Sequence, residues 1–100
     1  MTERQIRKAI AKVLAGFSAE LRGVRVVLFG SRARGTARPR SDYDLGLLGS
    51  GRLDARLLFD IRDALERLPT LARFDVVDLG RSDEQFRSRV LEHAEVIFHA

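Results

Sequence analysis

Val26-Val27-Leu28-Phe29-Gly30-Ser31 and Ser41-Asp42-Tyr43-Asp44-Leu45-Gly46-Leu47-Leu48, joined by a basic Arg/Gly segment, form the stretch on which the fold turns. An apolar run stops abruptly at Gly-Ser, and a second apolar run opens with carboxylates at alternate positions. In a strand, residues i and i+2 share a face, so Asp42 and Asp44 project side by side and repel unless a cation lies between them. Two such carboxylates suit a hard divalent ion, Mg²⁺ above all. Gly30 and Ser31 offer a small residue, a hydroxyl and free backbone N–H groups to phosphate oxygens. A phosphate cradle beside an acidic metal pair is the chemistry of nucleotide transfer.

Outward from this stretch the pattern alternates helix and strand. Residues 24–29 are rich in β-branched side chains and read as a strand buried on both faces apart from Arg25. The following Arg32-Ala33-Arg34-Gly35 suits a short helix whose N-terminus would face a bound phosphate, with Pro39 ending it. Upstream, Thr2-x-x-Gln5 is a capping box, and Ile6, Ile10, Val13, Leu14 and Phe17 recur at helical spacing. This predicts an amphipathic helix over 3–17 with Arg4, Arg7, Lys8 and Lys12 on a solvated outer face. Downstream, Gly46 permits close backbone approach and Gly49-Ser50-Gly51 reads as a turn. Residues 54–68 carry the stripe Leu57, Leu58, Ile61, Leu65, Leu68, and Pro69 stops that helix. A third strand over 73–79 bears Asp75 and Asp78. Ser82-x-x-Gln85 then repeats the capping box and opens a helix to about His93, with Phe86, Val90 and Leu91 facing inward. Residues 95–99 suit a short final strand. The order predicts one α/β (α+β) domain over residues 1–100, with a small mixed sheet of three or four strands flanked by helices.

Composition narrows the class. Apolar residues make up 45% and charged residues 32%, as in an ordinary soluble globular protein. The absence of cysteine excludes both a disulfide framework and a thiolate metal site. The N-terminus lacks the apolar stretch of a secretion signal and no run reaches membrane length, so a cytoplasmic protein is expected. The net charge of +4 favours anionic partners only mildly. Loop arginines without interleaved aromatic residues fit a triphosphate better than bases, so no direct nucleic-acid binding is expected.

The site itself constrains topology. If Ser31, ending the first strand, and Asp42, opening the second, touch one nucleotide, those strand ends are neighbours and the strands run antiparallel. The 54–68 helix is long enough for a right-handed parallel crossover to the third strand, whose beginning then lies at the edge that holds Asp42. Asp75 is close to that beginning. Asp78 is about 10 Å further along and on the opposite face. Asp75 is therefore the better third carboxylate. Tyr43 points away from the two acids and suits core packing, and His93 and His99 are read as structural or exposed.

Gly-Ser, ten residues, then Asp-x-Asp resembles the signature of the polymerase-beta-like nucleotidyltransferases, and the brevity of the chain is similar to their minimal nucleotidyltransferase (MNT) members. Phe74-Asp75-Val76-Val77-Asp78-Leu79 likewise resembles the family's third acidic strand. The resemblance implies the polymerase-beta-like fold, with Asp42, Asp44 and Asp75 as catalytic residues that bind two Mg²⁺ ions. It implies that Gly30 and Ser31 hold the terminal phosphates of ATP, with Arg32 or Arg34 neutralising them, and that Asp75 accepts the proton of the attacking hydroxyl. A hundred residues leave little room for an acceptor-binding domain, so the acceptor is expected on another molecule. MNT proteins of this look pair with HEPN-type toxins, to whose tyrosine they transfer AMP, and act as antitoxins. The rivals are a non-catalytic subunit that blocks its partner sterically and a transferase acting on a small molecule or an RNA end.

Overall fold

The Thr2 hydroxyl accepts from the Gln5 amide while the Gln5 side chain accepts from the Thr2 amide, so the capping box opens α1 (Glu3–Ala15) as the sequence requires. The computed structural model describes residues 1–49 and 53–100. Ser50 and Gly51 of the expected turn lie outside them. The remaining elements are β1 (Arg25–Phe29), α2 (Ser31–Arg34), β2 (Tyr43–Leu48), α3 (Ala55–Glu66), β3 (Phe74–Asp78), a single 3₁₀ turn (Leu79–Arg81), α4 (Glu84–Glu92) and β4 (Glu95–His99).

The strands form one sheet in the order β3-β2-β1-β4. β1 lies antiparallel between β2 and β4, and β2 lies parallel to β3, as the site argument and the α3 crossover require. A bulge interrupts the β1–β4 pairing between Val26 and Val27. The sheet has two unlike faces. On one, Val26, Leu28, Tyr43, Leu45, Leu47, Phe74 and Val76 pack with Ile6, Ile10 and Leu14 of α1 and Ile61 and Leu65 of α3. This is the main core. On the other, Leu79 closes over Gly46, where any Cβ would overlap it, and Phe86 of α4 meets Phe29 edge to face. That cover extends over the middle of β2 and stops short of its beginning.

Four local expectations need correction. α2 ends at Arg34 rather than at Pro39, because Gly35 adopts a left-handed conformation (φ 75°) and caps it. α4 is capped by Asp83, whose carboxylate accepts from the Phe86 amide. Ser82 is engaged in the preceding 3₁₀ turn, and the second capping box does not form. Leu91 is exposed, and α4 buries none of its residues fully. Arg7 is not solvated: it donates to the Arg32 carbonyl and to Glu95, and the Glu95 carboxylate raises its pKa. No helix among the described residues is long and apolar enough to cross a membrane.

Candidate active site

Phe29, the last residue of β1, pairs with Asp44 of β2, so the chain leaving β1 turns immediately beside that carboxylate. Gly30 makes the turn at φ 74° and ψ −154°, a region that essentially only glycine occupies. A Cβ there would also overlap Asp44 Oδ2. Two independent constraints therefore demand glycine. Gly30→Ala is expected to cost about 1–3 kcal/mol of stability from backbone strain alone. It should also displace Asp44, so that thermal melts and Mg²⁺ titration register the change together.

Gly30 brings no side chain to cap α2. Its carbonyl accepts from the Ala33 and Arg34 amides, while the Ser31 and Arg32 amides head the turn, where a helix leaves donors without intrahelical acceptors. Ser31 is half-buried next to them. Phosphate oxygens are the natural complement of such donors.

The carboxylates arrive from two strands. Asp44 and Asp75 are direct partners across the parallel β2–β3 pair, hence on one face, and Asp42, just before β2, is near enough to act on Asp44. Asp42 and Asp75 are exposed and Asp44 is half-buried. Burial raises the Asp44 pKa above its ordinary 3.8, Asp75 and then Asp42 raise it further, and nearby Arg34 opposes them. Crowded, partly desolvated acids of this kind mark functional sites. Among the described residues no three acidic or histidine side chains are gathered closely enough to hold a metal ion as they stand. The donor set nonetheless fits a hard divalent cation. It consists of carboxylates only, with a mutual repulsion that a cation would relieve.

The raised pKa has a testable sign. Between 3.8 and the folded value, native Asp44 holds a proton that the unfolded chain has lost. Stability of the ligand-free protein should therefore fall as pH rises through that window. Mg²⁺ affinity should climb through the same window, because the ion competes with the proton. Melting curves across the acid range, with and without Mg²⁺, check both slopes.

Asp78 is elsewhere. It sits on the core face at the end of β3, nearly inaccessible, and accepts from the Leu53 and Gly80 amides; among the described residues no arginine pairs with it. Arg62 of α3 reaches round the β3 edge to Asp75 (Nη2–Oδ1 3.8 Å), a contact no local sequence signal announces. Arg34 is exposed near Asp44, as a phosphate ligand would be. Arg32 departs from expectation. Only 9% exposed, it donates through Nη1 to Glu3, and through Nε and Nη2 to the carbonyls of Pro39 and Ser41. Its guanidinium lies 4.2 Å from the centre of the Tyr43 ring, on the face away from Asp44. A guanidinium so engaged, buried and turned to the core face, is poorly placed to serve a nucleotide beside Asp44. Tyr43 itself is buried and stacked on Phe74, and both histidines are exposed.

Comparison with known proteins bears on the family and the fold. The family model described as Polymerase beta, Nucleotidyltransferase matches residues 12–100. A solved candidate minimal nucleotidyltransferase is 31% identical (TM-score 0.67), and the match covers 95% of each chain. A chain of a toxin–antitoxin complex with AMP-PNP matches at 23% identity and a TM-score of 0.72, covering 94% of this chain and 73% of that one. The structure of a tri-AMPylated Shewanella oneidensis HEPN toxin with its MNT antitoxin matches at 19% and 0.69, covering 99% and 74%. The last two likenesses speak for the fold. No curated protein matches the chain.

Proposed function

The chain belongs to the polymerase beta nucleotidyltransferase family, and on that premise we propose that it transfers AMP from ATP to a tyrosine hydroxyl of a HEPN-type toxin and acts as that toxin's antitoxin. The observation that carries the proposal is the in-register pair Asp44–Asp75 beside the Gly30–Ser31 turn. The amides of that turn and the carboxylates, in this proposal the phosphate and metal ligands, meet there. The solved complexes of related fold, one with AMP-PNP and one with an AMPylated HEPN toxin, support the choice of donor and acceptor.

In this reading Asp42, Asp44 and Asp75 hold two Mg²⁺ ions, and Gly30 and Ser31 receive the terminal phosphates. Arg34 offsets their charge, and Arg32 is not a ligand. When bound, the ions supply charge neutralisation at the phosphates and activate the attacking oxygen for in-line displacement. Asp75, exposed on the edge strand, takes the proton of the incoming hydroxyl as its oxygen bonds to the α-phosphorus and pyrophosphate leaves. Catalysis of this kind rests on positioning and electrostatics. The setting is the cytoplasm, where ATP and an intracellular toxin are both available.

Co-expression with a small helical HEPN-type partner, followed by intact-mass spectrometry, tests the proposal. The partner should gain one or more AMP residues with the wild-type chain and none with Asp42→Ala/Asp44→Ala. A partner that is neutralised but unmodified would replace transfer by steric blocking. AMP found on RNA or on a small molecule would keep the chemistry and change the substrate.

A further inference from the structure

Arg32 follows Ser31 in sequence, yet its side chain passes to the opposite face of the sheet, and what it grips there lies on both sides of Asp42. Nε and Nη2 both donate to the Ser41 carbonyl (3.3 and 2.8 Å), one residue before Asp42. The guanidinium plane covers the Tyr43 ring, one residue after it. Nη2 also holds the Pro39 carbonyl (3.2 Å) and Nη1 the Glu3 carboxylate (2.8 Å), while the Arg32 carbonyl accepts from Arg7. Every guanidinium nitrogen is thus used, and Arg32 and Asp78 are the buried charged residues among those described.

Between Gly35 and Tyr43 the chain has no regular secondary structure. Its other ties include a small turn between Arg38 and Ser41 and the Tyr43 amide on the Arg73 carbonyl. Neither ties Asp42 to the Gly30–Ser31 turn. Arg32 does, because its backbone belongs to that turn and its side chain clasps the residues flanking the carboxylate. We propose that Arg32 is a positioning residue that sets the distance between the phosphate-holding amides and the first metal-binding carboxylate. It acts through Ser41 and Tyr43 and touches no substrate. The role depends on a planar fork that gives two donors to one carbonyl while stacking on an aromatic ring, and lysine reproduces neither. This inference rests on the proposed metal site only for its functional consequence; the clasp itself is independent of it.

Arg32→Lys and Arg32→Met in the full chain, alongside wild type, provide the test. In ligand-free protein, amide exchange at Ser41 and Tyr43 should quicken by about tenfold or more while Val26–Leu28 keep their wild-type rates. Mn²⁺, titrated with a non-hydrolysable ATP analogue, should bind about 10–100-fold more weakly to both variants, with no rescue by lysine. Lower melting temperatures with wild-type exchange at Ser41 and Tyr43 would reduce Arg32 to packing and overturn the proposal. If wild type takes up no Mn²⁺, the metal reading of the carboxylates fails, and the exchange comparison still decides the clasp. Should neither variant fold, Glu3→Gln removes the charge of one guanidinium partner at the exposed end of the network. Exchange at Ser41 should then rise by about threefold, and no change would overturn the proposal.

Discussion

Asp44→Asn should melt higher than wild type without ligand, yet lose the stabilisation that Mg²⁺ and ATP give together. The two effects share one cause. Asp44 is half-buried and crowded by Asp75 and Asp42, so its charge is disfavoured in the native state and its removal relieves the fold. That same charge is what a divalent ion would neutralise, and a ligand that selects the folded state stabilises it by mass action. An amide at this position offers one neutral oxygen in place of a carboxylate. Since loss of a residue that merely orients a metal ligand costs about 10–100-fold, loss of the ligand itself should lower transfer by at least about a hundredfold. Thermal melts with and without Mg²⁺ and ATP, together with the mass of the co-expressed partner, read both effects. A variant that melts lower when ligand-free and still responds fully to Mg²⁺ and ATP would assign Asp44 to the scaffold.

The second large effect separates two acids three residues apart. Asp75→Asn should leave the fold intact, because Asp75 is exposed and its contact with Arg62 is long and solvent-screened. Binding of ATP with Mg²⁺ should persist through Asp42 and Asp44, while transfer falls by about a hundredfold or more for want of the proton acceptor and its share of the second ion. Asp78→Ala should do the reverse. Its carboxylate satisfies the Leu53 and Gly80 amides in a buried corner, so removing it should cost about 1–3 kcal/mol and spare the turnover of the folded fraction. Denaturant titration beside a transfer assay distinguishes the two. The opposite pattern would move the third metal ligand to the other face of β3.

How far the sequence discloses this arrangement depends on the range of the interaction. Local rules held where partners are neighbours in sequence: the Thr2–Gln5 box opens α1, and alternation along β2 sends Tyr43 and Leu45 to the core and Asp44 to the other face. The antiparallel β1–β2 pairing followed from requiring Ser31 and Asp42 at one edge, a functional constraint applied to topology, and the parallel β2–β3 pairing followed from the length of the intervening helix. Arg32 was misread because its environment is assembled from Glu3, Pro39, Ser41 and Tyr43. An arginine among glycine and alanine in a polar loop carries no local mark of burial. Arg7 was misread for the same reason, its partners Arg32 and Glu95 being remote in sequence. The α4 start was misplaced by one residue because Ser82 and Asp83 are both capable caps, and only the 3₁₀ turn before them decides between the two.

The parallel pairing of β2 with β3 also bears on the order in which the molecule assembles. Gly30 and Asp44 meet where β1 and β2 pair, and closing that pair needs only the connection over residues 30–42, shorter than the one over 49–73 that leads to β3. Asp75 joins them only when the α3 crossover has docked, a pairing of greater sequence separation and hence a later, slower event. A folding nucleus built on the β1–β2 hairpin would contain two of the carboxylates and the phosphate turn, but not the third acid. Divalent cation and nucleotide would then find their complete set of ligands only on the native side of the folding barrier. Their stabilisation should appear in the unfolding limb of a chevron plot, as slower escape from the native state, with the refolding rate nearly unchanged.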